Sequence, residues 1–195
     1  MDSDGYLSQL ADIFNGITVN TPSISAIIAI VLAGVLLLAS GFASASEIAF
    51  FSLSPSDRND IDERNHPSDD KISALLGDTE RLLATILITN NFVNVTIIML
   101  CNFFFMNVFV FHSPLAEFLI LTVILTFLLL LFGEIMPKIY SAQKTLTFCR
   151  FSAPGIYFLE KVFRPIATVL VRSTTFLNKH FVKHSHNISV DELSH

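Results

Sequence analysis

The apolar residues of this chain are gathered into three long runs, separated by polar segments of unequal length. The runs cover about residues 24–53, 82–111 and 115–137. At about 1.5 Å per residue, each run can cross the roughly 30 Å hydrocarbon core of a bilayer as a helix. The pattern therefore predicts an all-α membrane protein with three transmembrane helices, in a transmembrane domain over residues 23–138.

The segment between the first two runs, residues 55–80, is polar and acidic. The pair Ser54-Pro55 can end the first helix and cap the next one, with Asp57 in its first turn. Three apolar residues in the second half of the segment have helical spacing: Ile72, Leu75 and Leu76. We predict a solvated helical hairpin here.

Residues 139–184 have a different pattern, in which apolar residues are interleaved with basic ones. A fourth span would have to place Glu160, Lys161 and Arg164 in lipid, which is unfavourable. The segment is better explained by juxtamembrane amphipathic helices that form a belt on the membrane surface. Pro154-Gly155 and Pro165 predict breaks between these helices. Residues 185–195 are predicted to be a polar linker.

The distribution of basic residues predicts the orientation. All 12 Lys and Arg residues lie within 58–81 or 138–183, and none lies within 1–22 or 112–116. Cytoplasmic loops carry the excess of Lys and Arg, so three spans place the N-terminus outside and the C-terminus in the cytoplasm. We expect a multi-pass protein of the cell's inner (plasma) membrane, with residues 1–22 as an extracytoplasmic segment.

Composition agrees with this assignment and excludes several function classes. The 195 residues are 52% hydrophobic and 15% charged, with a mean hydropathy of +0.60, which is too apolar for a typical soluble domain. The net charge of −5 argues against nucleic-acid binding. The chain has no HExxH, GxSxG, P-loop or GxGxxG motif, so we do not expect an enzyme.

The end of the third run carries the most informative motif, FGEIMPK at residues 132–138. Pro137 has no N–H, so in an α-helix the carbonyl of Gly133 would lose its partner, one residue before the carboxylate of Glu134. Two such oxygens at membrane depth are suitable ligands for a cation. The alternative is a simple proline kink in which Glu134 pairs with Lys138 one turn later.

Each of the three runs contains one polar cluster. The clusters are Ser44, Ser46 and Glu47; Asn90, Asn91 and Asn94; and Gly133, Glu134 and Pro137. They can meet at a common depth, and their oxygens would suit a hard cation such as Mg²⁺, Ca²⁺ or Na⁺. Taken singly, the serines could serve helix packing, the asparagines could form interhelical hydrogen bonds, and Glu47 could pair with Arg81 or Lys138.

Three motifs together resemble a known family. SASEIAFFSLS (44–54), LATILITNNFVNV (83–95) and FGEIMPK (132–138) are similar, in order and spacing, to the membrane domain of the CNNM/CorC magnesium transport proteins. The resemblance covers about residues 24–184. It implies three spans with a kinked third helix, a cytoplasmic belt helix, and a homodimer with Mg²⁺ in each protomer.

The resemblance also implies roles for particular residues and a mechanism. The implied metal ligands are Ser44, Asn90, Asn94, Gly133 and Glu134, supported by Ser46, Glu47, Asn91, Pro137 and Lys138. Na⁺-coupled Mg²⁺ export is the implied activity. The family usually continues into a cytoplasmic pair of CBS domains, to which residues 185–195 would be the linker. The alternative is a membrane anchor or scaffold for such a module, for example one associated with motility, without transport.

Overall fold

The computed structural model describes residues 18–110 and 114–185. Most of the N-terminal segment predicted over 1–22 and of the linker predicted over 185–195 lies outside these ranges. The described residues form helices α1 (Ile24–Phe51), α2 (Pro55–Asp62), α3 (Asp69–Leu76), α4 (Thr79–Val108), α5 (Pro114–Leu128), a π-helix (Leu129–Ile135), α6 (Met136–Gln143) and α7 (Thr145–Ser185). Two short strands, β1 (Thr18–Val19) and β2 (Phe109–Val110), pair in antiparallel fashion.

Three helical segments are long and apolar enough to cross a membrane: Ile24–Phe51, Thr79–Val108 and Glu117–Gln143. The predicted all-α class and the three spans are therefore confirmed. The second span begins and ends about three residues earlier than the apolar run, because β2 follows Val108 directly.

The third span differs from the prediction at its end. It does not stop at Pro137 but continues to Gln143. The turns before Pro137 are π-helical, and the N–H of Met136 bonds the carbonyl of Leu131, five residues back. The wider turn gives room for the proline ring, which would otherwise clash with the carbonyl of the preceding turn.

The described residues separate into two compact units. The first unit consists of 18–48, 90–110 and 114–143, and every residue of the predicted metal site lies in it. Its apolar core brings the three spans together through buried side chains, namely Ala33, Val93, Ile97, Cys101 and Leu125. The pairing of β1 with β2 ties the start of α1 to the end of α4.

The second unit consists of 49–89 and 144–185. As the sequence predicts, Ser54 caps α2, and its hydroxyl accepts a hydrogen bond from the N–H of Asp57 in a reciprocal capping box. Helix α3 packs against α7. There the guanidinium of Arg150 binds the fully buried carboxylate of Asp69 with two hydrogen bonds, of 2.8 and 3.0 Å.

The predicted breaks in the belt segment are wrong. Helix α7 runs without interruption from Thr145 to Ser185, with Pro154 and Pro165 inside it. Each proline removes one backbone hydrogen bond. One side of α7 is buried, through Cys149, Ala153, Ile156 and Ala167. This burial offsets part of the cost, because tertiary packing can override low helix propensity.

Candidate metal centre

A hydroxyl in α1 joins two amides in α4. Ser40 is fully buried, and its Oγ lies 2.8 Å from Oδ1 of Asn90 and 2.6 Å from Oδ1 of Asn94. Asn90 and Asn94 share a face of α4 because they are one turn apart. A serine hydroxyl has one proton, so it can donate fully to only one of two carbonyl oxygens at a time. Three oxygens therefore converge here on a single proton, which favours an added positive charge.

The third span approaches the same point through Gly133, which is buried. A Cβ atom at this position would lie 3.1 Å from Oγ of Ser40 and 3.5 Å from Cδ1 of Leu37. Any side chain at 133 would therefore press on the hydroxyl that holds the two amides. The structure thus brings Asn90, Asn94 and Gly133 together around Ser40, a serine outside the predicted clusters.

Ser44 lies one turn further along α1 and is also fully buried. Its Oγ has no hydrogen-bond partner among the residues that the structure describes. Leaving a buried hydroxyl unpaired costs about 1–3 kcal/mol, so Ser44 stays a candidate ligand. Ser46 differs, because its hydroxyl donates to the Phe42 carbonyl of its own helix at 2.6 Å.

The backbone around Pro137 also differs in detail from the prediction. In an α-helix, the N–H that Pro137 lacks would have donated a hydrogen bond to the carbonyl of Gly133. In the π spacing seen at Met136, the corresponding acceptor is the carbonyl of Phe132, five residues before Pro137. The Phe132 carbonyl oxygen faces α1, where a Cβ atom on Gly41 would lie 3.3 Å from it and 3.0 Å from Cγ of Pro137. Gly41 thereby allows the broken turn to pack closely against α1.

Glu134 follows this broken turn and is half-buried. No ion pair or hydrogen bond to its carboxylate is formed within 18–110 and 114–185. Lys138, the alternative partner one turn later, instead places its Nζ 2.9 Å from Oε2 of Glu47. The structure thus gives Glu47 the ion pair considered from the sequence and leaves the Glu134 carboxylate available for a ligand.

Asn91 is exposed, since it lies about 100° around α4 from Asn90. Ser141, which the sequence analysis did not select, donates to the Ala45 carbonyl at 2.6 Å and connects α6 to α1. Ser40 was also missed, although its position one turn before Ser44 on the same helix face was a usable signal.

A metal centre built from acidic or imidazole groups is not present in the described ranges. No group of three or more His, Cys, Asp or Glu side chains there is placed to hold a metal ion. The oxygens that converge at Ser40 are neutral, from one hydroxyl and two amide groups.

Comparison with known proteins agrees with this architecture. The sequence model of one family, described as the cyclin M transmembrane N-terminal domain (CNNM), matches residues 29–195. A comparison with curated proteins finds no match. The family match covers far more than half of the chain and includes all three polar clusters. The chain therefore belongs to the CNNM transmembrane-domain family, a family of membrane transporters and not an enzyme class.

Proposed function

We propose that this protein binds Mg²⁺ between its three spans and carries it across the membrane, as an exporter driven by exchange against Na⁺. Membership of the CNNM family is consistent with membrane ion transport. The proposed ligands are the predicted set, Ser44, Asn90, Asn94, Gly133 and Glu134, together with Ser40.

One observation supports the proposal above the others. Ser40 directs its single proton toward two amide oxygens, at 2.6 and 2.8 Å. Ser44 lies one turn further along α1 and Glu134 follows Gly133, and neither side chain has a hydrogen-bond partner in the part of the chain that the structure describes. Polar groups at membrane depth are costly, and oxygens left without donors mark ion pathways. A hard cation would satisfy them all at once.

The chain is a multi-pass membrane protein. We propose that it lies in the inner (plasma) membrane with its C-terminus in the cytoplasm, because all 12 Lys and Arg fall within 58–81 or 138–183. We further propose that it acts as a homodimer. An open groove of about 450 Å³ between α4 and α5 is lined in part by exposed polar side chains, including Asn102 and Thr122, which a second protomer would shield from lipid.

Transport by the purified chain in liposomes tests the proposal. Mg²⁺ movement is measured with an internal fluorescent indicator, with an Na⁺ gradient in either direction and with none. We expect Mg²⁺ flux that follows the Na⁺ gradient. An anchor or scaffold for a cytoplasmic CBS module would give no flux, and this result would reject the transport proposal in favour of that alternative.

The unpaired hydroxyl of Ser44 gives a prediction that separates stability from binding. Ser44→Ala should weaken Mg²⁺ binding by about tenfold, because one ligand of several is removed. The same change should leave the metal-free protein as stable as before or up to about 1 kcal/mol more stable, because an unsatisfied buried group is lost. Calorimetry measures the first effect and thermal unfolding the second.

Ser46→Ala is the matched control, since the hydroxyl of Ser46 is already bonded within its own helix. It should leave Mg²⁺ binding within about twofold of the unchanged protein. If Ser44→Ala binds Mg²⁺ as well as Ser46→Ala does, Ser44 is not a ligand.

A further inference from the structure

Helix α7 has two separate apolar sides. One side is buried and consists of Cys149, Ala153, Ile156 and Ala167. The other is exposed, with Phe151 69% exposed, Phe158 65% exposed and Val169 66% exposed, joined by Val162 and Ile166. At about 100° per residue, these five exposed side chains fall within an arc of roughly 80°, on the opposite side from the buried set.

The exposed apolar side is accompanied by uncompensated positive charge. Residues 139–184 contain seven Lys and Arg but one acidic residue, Glu160, which lies 3.9 Å from Arg81. Arg150 is engaged by Asp69. The remaining basic side chains of described burial, Lys144, Lys161, Arg164 and Arg172, are exposed and form no ion pair within the described part of the chain.

The positive charge of α7 and its direct connection to the third span favour a lipid surface as the partner of its exposed apolar side. Helix α7 begins at Thr145, two residues after the third span ends at Gln143, so its first turn lies at the membrane boundary. Lys161 and Arg172 lie on one flank of the exposed apolar side, where phosphate groups would be when that side enters the acyl region. A second copy of α7 would instead bring like charges together.

We propose that α7 is a binding surface for anionic phospholipids, with its exposed apolar side among the acyl chains and Lys144, Lys161 and Arg172 on the headgroup phosphates. This inference is independent of the proposed Mg²⁺ transport. It assigns the positive charge of the segment to lipid recognition. The acidic hairpin before α4 should repel the same lipids, because residues 55–81 contain eight Asp and Glu against four Lys and Arg.

The test measures stabilisation of the purified protein in neutral detergent by added lipid. Phosphatidylglycerol is compared with phosphatidylcholine of the same acyl chains, by thermal unfolding and by counting bound lipids with native mass spectrometry. We expect tighter binding of phosphatidylglycerol and a smaller difference at high salt, because exposed charges are screened. Each basic residue near an anionic surface increases the affinity about fivefold.

The triple variant Lys144→Gln, Lys161→Gln, Arg172→Gln should therefore lose at least tenfold in affinity for phosphatidylglycerol and keep its affinity for phosphatidylcholine. The control Arg58→Gln, Arg64→Gln, Lys71→Gln makes the same charge change in the acidic hairpin and should have little effect. Equal binding of both lipids by the unchanged protein overturns the proposal, even if the triple variant fails to fold. The proposal is also overturned if the control loses as much affinity for phosphatidylglycerol as the triple variant does. A change in oligomeric mass without bound lipid would overturn it as well.

Discussion

Replacing Glu134 with lysine is expected to abolish Mg²⁺ binding. Glu134 directly follows Gly133, which packs against Ser40, and its carboxylate has no partner in the described ranges. The change puts a positive charge where the cation should bind and adds a second ammonium one turn from Lys138. Calorimetric titration of the purified variant with Mg²⁺ measures the effect.

Glu134→Gln separates charge from shape. It keeps an oxygen that can act as a ligand and removes the negative charge, so we expect strongly weakened binding with the protein still folded. Glu117→Gln is the matched control, because Glu117 is also half-buried in the third span but lies at its opposite end. The site assignment is wrong if both Glu134 variants bind Mg²⁺ as the Glu117→Gln control does.

Replacing Asp69 with alanine should cause the largest loss of stability in the second unit. Its carboxylate is fully buried, accepts two hydrogen bonds from Arg150 and accepts a third from the His66 N–H at 3.0 Å. Removing one partner of a buried pair leaves the other charge uncompensated, which costs about 3–5 kcal/mol. Denaturant unfolding, followed by the loss of helical circular dichroism, measures this difference.

The neighbouring residue provides a control. Asp70 pairs with Arg64 at 3.3 Å, but both side chains are about 70% exposed, so Asp70→Ala should cost no more than about 1 kcal/mol. Removing both Asp69 and Arg150 should recover part of the loss, because no unpaired charge then remains. If Asp69→Ala and Asp70→Ala are equally stable, the buried pair does not hold α3 to α7.

The buried pair of Asp69 and Arg150 predicts how the stability of the protein depends on pH. Burial by itself raises the pKa of Asp69, but the Arg150 and His66 hydrogen bonds and the Arg150 charge together bring that pKa below its ordinary value of 3.8. Since the folded pKa is lower than the unfolded one, the pair contributes fully above about pH 4 and is lost as the pH falls through the folded value. The melting temperature should fall in that range, and Asp69→Asn should remove this component of the fall.

The three spans, the polar clusters and the cap at Ser54 were predictable from sequence for a simple physical reason. Span length is set by bilayer thickness, and a serine followed by proline and an acidic residue satisfies the first N–H groups of a helix using only near neighbours. Each of these features depends on residues that are close in the chain. The expectation that polar side chains of the spans face the inside of the bundle follows because such side chains avoid lipid.

The sequence by itself thus determined the membrane class, the number of spans and the residue types at the candidate site. Tertiary structure alone decided that Ser40 joins Asn90 to Asn94, that a π-helix carries the third span past Pro137, that α7 continues through two prolines, and that Asp69 binds Arg150. These outcomes depend on which side chain of one helix faces which gap in another. Helix periodicity limits that choice, but only packing between segments distant in sequence settles it.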